Sequence, residues 1–350
     1  MTQRPRVRLL ALVVVVALLG AAAVWALWPR GTELGGAAAL LPEDTARVTW
    51  TDWDGVRAEL DAEPGTRDLD RMLREAADLD LSSASPTAAI AAPLAETLGW
   101  GPVDAQWEVL GQAEEGMVLV VKLSEDADLG AIADKYEDAG FTAPDEGRTE
   151  GGLWSGGPDT VAALPGLNEP LLQHAALLED ERLLISSDQA ASVERAVPVA
   201  RGDEDGLDIG PLAEPAGDPV AAVGWTTDRV CVDLSMGQAD SGAQAQSEQL
   251  VEDAGGVGPL DSYLVSLRAD RGLSVVLGYE DDDRAERDRD SRAALAGMED
   301  PGQSLSYPDL FRVSEARTEG DVVVVDLVDA ARDGYPLTNL SQGPVLLAAC

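Results

Sequence analysis

A chain that attacks or moves protons near neutral pH needs groups that do so there, and this one carries a single histidine, His174. It sits in QHAALL, which reads as a strand, and no partner stands at a spacing that announces a triad or a metal site, so a core or edge position is expected. The nearest string to a nucleophile elbow, DLSMG at 233 to 237, lacks the first glycine, and neither Lys122 nor Lys135 follows a serine by three residues. No GxGxxG or GxxxxGK[ST] cradle for phosphates occurs, which argues against nucleotides. The thiols are Cys231 and Cys350; without metal-ligand neighbours, they are expected to pair as a disulfide in an oxidising compartment.

Carboxylates are the remaining reactive type, 64 Asp and Glu against 25 Lys and Arg, a net charge of -39. A field of that sign repels phosphate backbones and anionic headgroups, which argues against nucleic acid as a partner. The clusters Glu280 to Asp283 and Asp203, Glu204, Asp205, Asp208 have the hard oxygens calcium prefers, but neither has EF-hand spacing. They read as solvated loop and helix-cap charges, and no metal or cofactor is expected. A glycosidase-type hydrolase needs two carboxyl groups about 5 to 9.5 Å apart, a separation that some pair in so acidic a chain meets by accident.

The scaffold that must hold these groups begins after Leu9 to Trp28, LLALVVVVALLGAAAVWALW, an uncharged stretch long enough to cross a bilayer. Arg4, Arg6 and Arg8 precede it, and Trp25 and Trp28 end it, so a single-pass anchor with a cytoplasmic N-terminus is expected, the bulk of the chain lying outside the cytoplasm. Cleavage as a signal peptide is the competing reading. The expected organisation is a basic tail over 1–8, a transmembrane helix over 9–28, a tether over 29–37, a first lobe over 38–197, a Pro- and Gly-rich linker over 198–217 and a second lobe over 218–350.

Within the first lobe, ARVTWTD (46 to 52) alternates as a half-buried strand does, and Leu69, Met72, Leu73, Ala76 and Ala77 form a helical stripe. Gln106 to Leu110 and Met117 to Leu123 predict a hairpin turning at Gly116, and Asp126 to Ala139 a helix ended by Gly140. Thr142 to Thr149 with Leu153 to Ser155, and His174 to Leu178 with Arg182 to Ser186, predict two further hairpins, and Asp188 a helix cap.

The same order returns beyond the linker. VTWTD (48 to 52) is echoed by VGWTTD (223 to 228), the strand pair from Trp107 by that from Tyr263, and RTEG occurs at Arg148 to Gly151 and at Arg317 to Gly320, each in a predicted hairpin turn. The expected fold is therefore α+β: two duplicated lobes, each an antiparallel sheet with helices on one face, the disulfide tying the first strand of the second lobe to its last. Trp50 and Trp225 should hold matching core positions, while Trp100, Trp107 and Trp154 are left open between core and surface.

LPEDT (Leu41 to Thr45), VLVVKLSEDADLGAIADKY (Val118 to Tyr136) and LLISSDQAASVERAV (Leu183 to Val197) resemble an uncharacterised family of bacterial exported or membrane-anchored proteins. That resemblance implies an LPADT-like start after a membrane span and repeated strand-strand-helix lobes, and it brings no activity or site residues. The functional expectation is a non-catalytic binding or scaffold module of the cell envelope, meeting a protein or a small apolar ligand between the lobes. The alternative is a carboxylate-based hydrolase of envelope polysaccharide.

Overall fold

The computed structural model describes residues 31–63, 69–328, 330–331 and 334–350. The expected span from Leu9 to Trp28 lies outside the described residues; among those described, no helix is long and apolar enough to cross a membrane.

The strands are β1 (Arg47–Asp52), β2 (Ala105–Ala113), β3 (Gly116–Leu123), β4 (Trp154–Ser155), β5 (His174–Leu178) and β6 (Leu183–Ser187) in the N-terminal half. In the C-terminal half they are β7 (Ala221–Trp225), β8 (Ser262–Leu267), β9 (Leu273–Gly278), β10 (Glu299–Asp300), β11 (Leu305–Ser306), β12 (Arg312–Glu319) and β13 (Val322–Val328). All but the β10–β11 ribbon join one 11-stranded sheet in the order β12-β13-β9-β8-β7-β1-β2-β3-β6-β5-β4. Every pair is antiparallel. The halves are thus fused edge to edge through β1 and β7, where Arg47 faces Trp225 and Thr51 faces Ala221.

Helices cover both faces of this sheet, not one as the sequence reading expected. On one face Val48, Trp50, Val109, Val120, Leu264 and Val324 pack beneath the helices Glu33–Ala38, Ala190–Ala200 and Gly210–Ala216. On the other, Leu119, Val121, Val223, Tyr263, Val275 and Val325 pack beneath Trp53–Glu59, Leu129–Asp138 and Asp282–Leu295. The reason is visible in the strands: β6, β7 and β9 are buried at every residue, the mark of a sheet with no wet face. The stretch 198–217, expected to be a linker, contains the helix Gly210–Ala216 and buries Leu207, Ile209 and Leu212 in the first of these cores.

Local expectations hold where the sequence carries its own stop signals. Gly116 turns the β2–β3 hairpin at φ 146°, and Gly140 ends the helix Leu129–Asp138 at φ 88°. Asp188 does not cap the helix Ala190–Ala200; its Oδ1 accepts the Met117 backbone N–H across the sheet instead. The hairpin expected over Thr142 to Ser155 shrinks to one bridge, Thr142 to Ser155, because β4 pairs with β5.

Tryptophans Trp50, Trp53, Trp100, Trp107, Trp154 and Trp225 are all buried, which removes an exposed stacking platform among the described residues. Trp50 and Trp225 do not match: they point into opposite cores.

The core around β1 on Trp225's face is polar. Thr49 and Thr51 point there, and their hydroxyls find no hydrogen-bond partner among the described residues. Opposite Thr51 lies Glu108, 1% exposed, whose Oε2 accepts from Thr87 Oγ1 at 2.6 Å. Its Oε1 and the Trp53 indole N–H are each buried without a hydrogen-bond partner among the described residues. Burial raises the Glu108 pKa, while the Ser85 and Thr87 hydroxyls and the Trp53 indole work to lower it.

Cys231 and Cys350 form a disulfide with their Cα atoms 5.7 Å apart. It does not join two strands, as expected from the sequence: Cys231 lies on the short helix Val230–Asp233 after β7, and Cys350 lies beyond the turn Leu346–Ala348, well after the last strand ends at Val328. The same terminal segment is held by Arg292, fully buried, which donates to the carbonyls of Leu347 (2.9 Å) and Ala349 (2.7 Å).

Two outcomes are expected. The crosslink closes a separation of 119 residues, for which the chain-entropy model gives a stabilisation of about 4 to 5 kcal/mol. Paired Cys231→Ser and Cys350→Ser changes should lower urea-unfolding stability by about that much, and an unchanged midpoint would show that Arg292 and the core hold the terminus alone. For Glu108, a raised folded-state pKa means its stabilising contribution is complete below the ordinary carboxyl value of 4.5 and is lost as pH rises through the folded-state value. Glu108→Gln should therefore melt higher than the native chain at pH 8, and the gap should close as pH falls toward 4.5.

Candidate functional site

Two cavities lie where the halves of the sheet meet, and the helix Pro336–Ser341 borders both: Tyr335 and Thr338 line one, Ser341 the other. This helix is set by the opposite half of the chain. Asp80, fully buried at φ 63°, accepts from the Thr338 backbone N–H (3.0 Å) and hydroxyl (2.6 Å), capping a helix 258 residues away in sequence. Arg271 adds a second tie, donating to the carbonyls of Leu79 at 2.7 Å and Ala331 at 2.8 Å.

The first cavity, ≈ 500 Å³, has an apolar wall made of Leu73, Ala77, Ala88 and Ala89, with Tyr335 across from it. Tyr335 is 44% exposed, one of two large hydrophobic side chains left so open among the described residues. Its backbone is left-handed at φ 50°, a conformation that bulky residues rarely adopt and that places it at the helix start. The polar residues around this cavity are Arg74, Asp80, Ser82, Ser83, Ser85 and Thr338; Asp80 and Thr338 are bonded to each other, and Ser85 is bound up with its own backbone turn, accepting from the N–H groups of Thr87 and Ala88.

The second cavity is larger, ≈ 900 Å³, and lined mostly by polar and charged residues. It opens at the start of β1 and the ends of β2 and β7, and Arg47, Gln112, Glu114, Trp225, Asp228 and Arg229 are among the residues around it. Arg47 lies over the Trp225 ring, 5.0 Å from its centroid, and donates through Nη1 to Gln112 Oε1 at 3.0 Å. Burial lowers the Arg47 pKa, with the Asp233 charge working the other way. Asp233 itself is taken by Arg229, at 3.0 and 2.9 Å.

Neither cavity contains the reactive residues named from the sequence. His174 opens β5, half-buried, with Nδ1 3.2 Å from Ser155 Oγ; desolvation lowers its pKa and the Asp188 charge opposes this. No hydrogen bond joins His174 to Asp188, so the arrangement lacks the third group that orients a catalytic base. Arg148 pairs with Asp134 (3.1 Å) and Glu137 (2.9 Å) and lies over Trp154, and Gly151 follows at φ 79° in the loop before β4. Arg317, bridging Glu319 and Asp326, and Gly320 at φ 62° form the β12–β13 hairpin. The identical strings therefore occupy different places, since the hairpin that corresponds to β12–β13 in strand order is β5–β6.

The acidic clusters also have local duties: Asp281 caps the helix Asp282–Leu295, Glu280 pairs with Arg284, and Asp208 accepts from Gly210 N–H. Among the described residues, no group of three or more His, Cys, Asp or Glu side chains is placed to hold a metal ion. Sequence reasoning passed over Arg47, Asp80, Glu108 and Tyr335. Two of these had a signal, since Arg47 in ARVTWTD and Glu108 in WEVLG put charge on strand positions whose neighbours are apolar.

No protein-family model matches the chain, and no curated protein matches it. Among solved structures it is similar to TP0453 in two crystal forms. Crystal form I gives a TM-score of 0.40 at 7% identity over 87% of this chain and 98% of that one. Crystal form III gives 0.37 at 7% identity over 86% of this chain and 97% of that one.

Proposed function

We propose that this chain is a non-catalytic binding module, held outside the cytoplasm by a single-pass anchor over Leu9 to Trp28, that takes a small apolar ligand between its two halves. The observation that carries the reading is the ≈ 500 Å³ cavity walled by Leu73, Ala77, Ala88 and Ala89 with Tyr335 open at its edge. Its size lies within the ~300 to 1,000 Å³ of small-molecule sites, and junctions between structural units are where such sites form. The disulfide suits an oxidising compartment, and the basic residues before the apolar stretch suit a cytoplasmic N-terminus. The mirrored strand order, β1-β2-β3-β6-β5 against β7-β8-β9-β13-β12, supports the duplication of one unit as the origin of the junction.

A carboxylate hydrolase would need a substrate-accessible acid pair. Glu108, a carboxyl raised by burial, is sealed beneath Thr87 and Trp53 and lines neither junction cavity, so the binding reading stands ahead of the hydrolytic one.

The test places a photoreactive benzophenone amino acid at position 335 in the full chain, in its membrane, and reads the intact mass after irradiation. The expected result is a small-molecule adduct of a few hundred daltons that Ala88→Trp, which fills the cavity, prevents without lowering the melting temperature. A crosslink to an envelope protein alone, or no adduct, overturns the apolar-ligand reading. For the anchor, alkaline extraction of membranes should leave the full-length chain in the pellet, and a mature N-terminus near Leu27 would mean a cleaved, secreted protein.

A further inference from the structure

The polar cleft at the start of β1 holds charges of both signs that its own residues leave unpaired. Arg47 has one side-chain acceptor, Gln112 Oε1, and forms no ion pair among the described residues, in a chain of net charge -39 where acidic partners are plentiful. Its Nε is buried without a partner, as is the indole N–H of Trp225 beneath it. Nη2 carries no hydrogen bond either, and unlike Nε it is not among the buried unpartnered atoms of this cleft-lining residue. The buried Nε and indole N–H are out of a ligand's reach, so the terminal edge of the guanidinium, Nη2 beside the Gln112-bound Nη1, is what a carboxylate would meet, accepting from two N–H donors in a fixed plane.

An anion alone is a poor occupant. Glu114 and Asp228 line the same cleft, both exposed and neither in an ion pair among the described residues, and a bare anion on Arg47 would meet their repulsion and that of the whole chain. A cation alone would satisfy the carboxylates and leave Arg47 as it is. A ligand carrying both charges a few ångströms apart answers both demands, and the Trp225 ring provides an apolar wall beside them.

We propose that this cleft binds a small zwitterion of the α-amino acid class, its carboxylate on Arg47 and its ammonium toward Glu114 and Asp228. The site shares no lining residue with the apolar cavity, and its occupancy does not depend on that cavity's ligand.

The experiment is equilibrium dialysis of the full chain, in nanodiscs, against an equimolar mixture of the twenty protein amino acids, with the retained species quantified by chromatography. The best-retained amino acid is then compared with its own amide, which keeps only the ammonium, and its N-acetyl derivative, which keeps only the carboxylate. Both should bind at least about tenfold more weakly, as expected when a hydrogen bond to a charged group is lost. Arg47→Gln should abolish retention. Asp228→Asn, on an exposed residue whose loss cannot unfold the chain, should weaken the amino acid while leaving its N-acetyl derivative unchanged or tighter. Retention of none of the twenty, equal binding of the amino acid and its two derivatives, or an Asp228→Asn protein that still discriminates fully against the N-acetyl form would overturn the proposal.

Discussion

The pairing of β1 with β7 is the constraint on which the rest of the molecule depends. It turns what would be two separate sheets into one of eleven strands, in which every strand but the outermost two, β12 and β4, has hydrogen-bonded neighbours on both sides. A sheet of that width with helices on both faces leaves no wet surface for polar side chains near its middle. The polar residues that β1 and its neighbour β2 carry there are accommodated at a cost, since the Thr49 and Thr51 hydroxyls and one Glu108 carboxyl oxygen are buried without a hydrogen-bond partner among the described residues. At the outer edge β12 presents Glu315, Arg317 and Glu319 with none of its residues buried, and charge on an exposed strand opposes further pairing.

Sheet fusion fixes where the halves touch, but the helix Pro336–Ser341 decides what shape the junction takes. It belongs to the C-terminal half by sequence and receives its cap from Asp80 in the N-terminal half. Its beginning forms part of the apolar cavity and its end part of the polar cleft, so one short element separates two sites of opposite chemistry. The segment beyond it is fastened by the buried Arg292 and by the Cys231–Cys350 disulfide. Removing solvent from a guanidinium is expensive, and the Arg292 head is satisfied by Tyr279 Oη and the carbonyls of Gly258, Leu347 and Ala349 instead of by a carboxylate. The C-terminal chain is thereby part of the junction's frame.

Arg47 and Arg292 show the same residue type under two regimes. Arg292 is buried with its donors matched to fixed acceptors, which makes it a structural tie. Arg47 is half-buried against an aromatic face with donors unmatched, at the wall of a cleft. The difference lies in whether the surrounding backbone turns its carbonyls toward the guanidinium.

Local chemistry was legible in the sequence because it is decided within a few residues. The turn at Gly116, the helix Leu129–Asp138 closed by Gly140, the β5–β6 hairpin and the pairing of the two thiols all follow from propensity, φ constraints and redox compartment. The two-sided burial was also present, as the continuous apolar run VVVV over 322 to 325, although the alternation in ARVTWTD suggested a half-buried strand. What only the tertiary structure decided depends on register between distant strands. A shift of one residue turns a side chain to the other face, so Trp50 and Trp225, matched in sequence strings, enter opposite cores, and the RTEG strings end in unlike places. The Asp80 cap, the orphaned polar row around β1 and both cavities depend on partners brought together from distant parts of the chain, whose meeting no local pattern encodes.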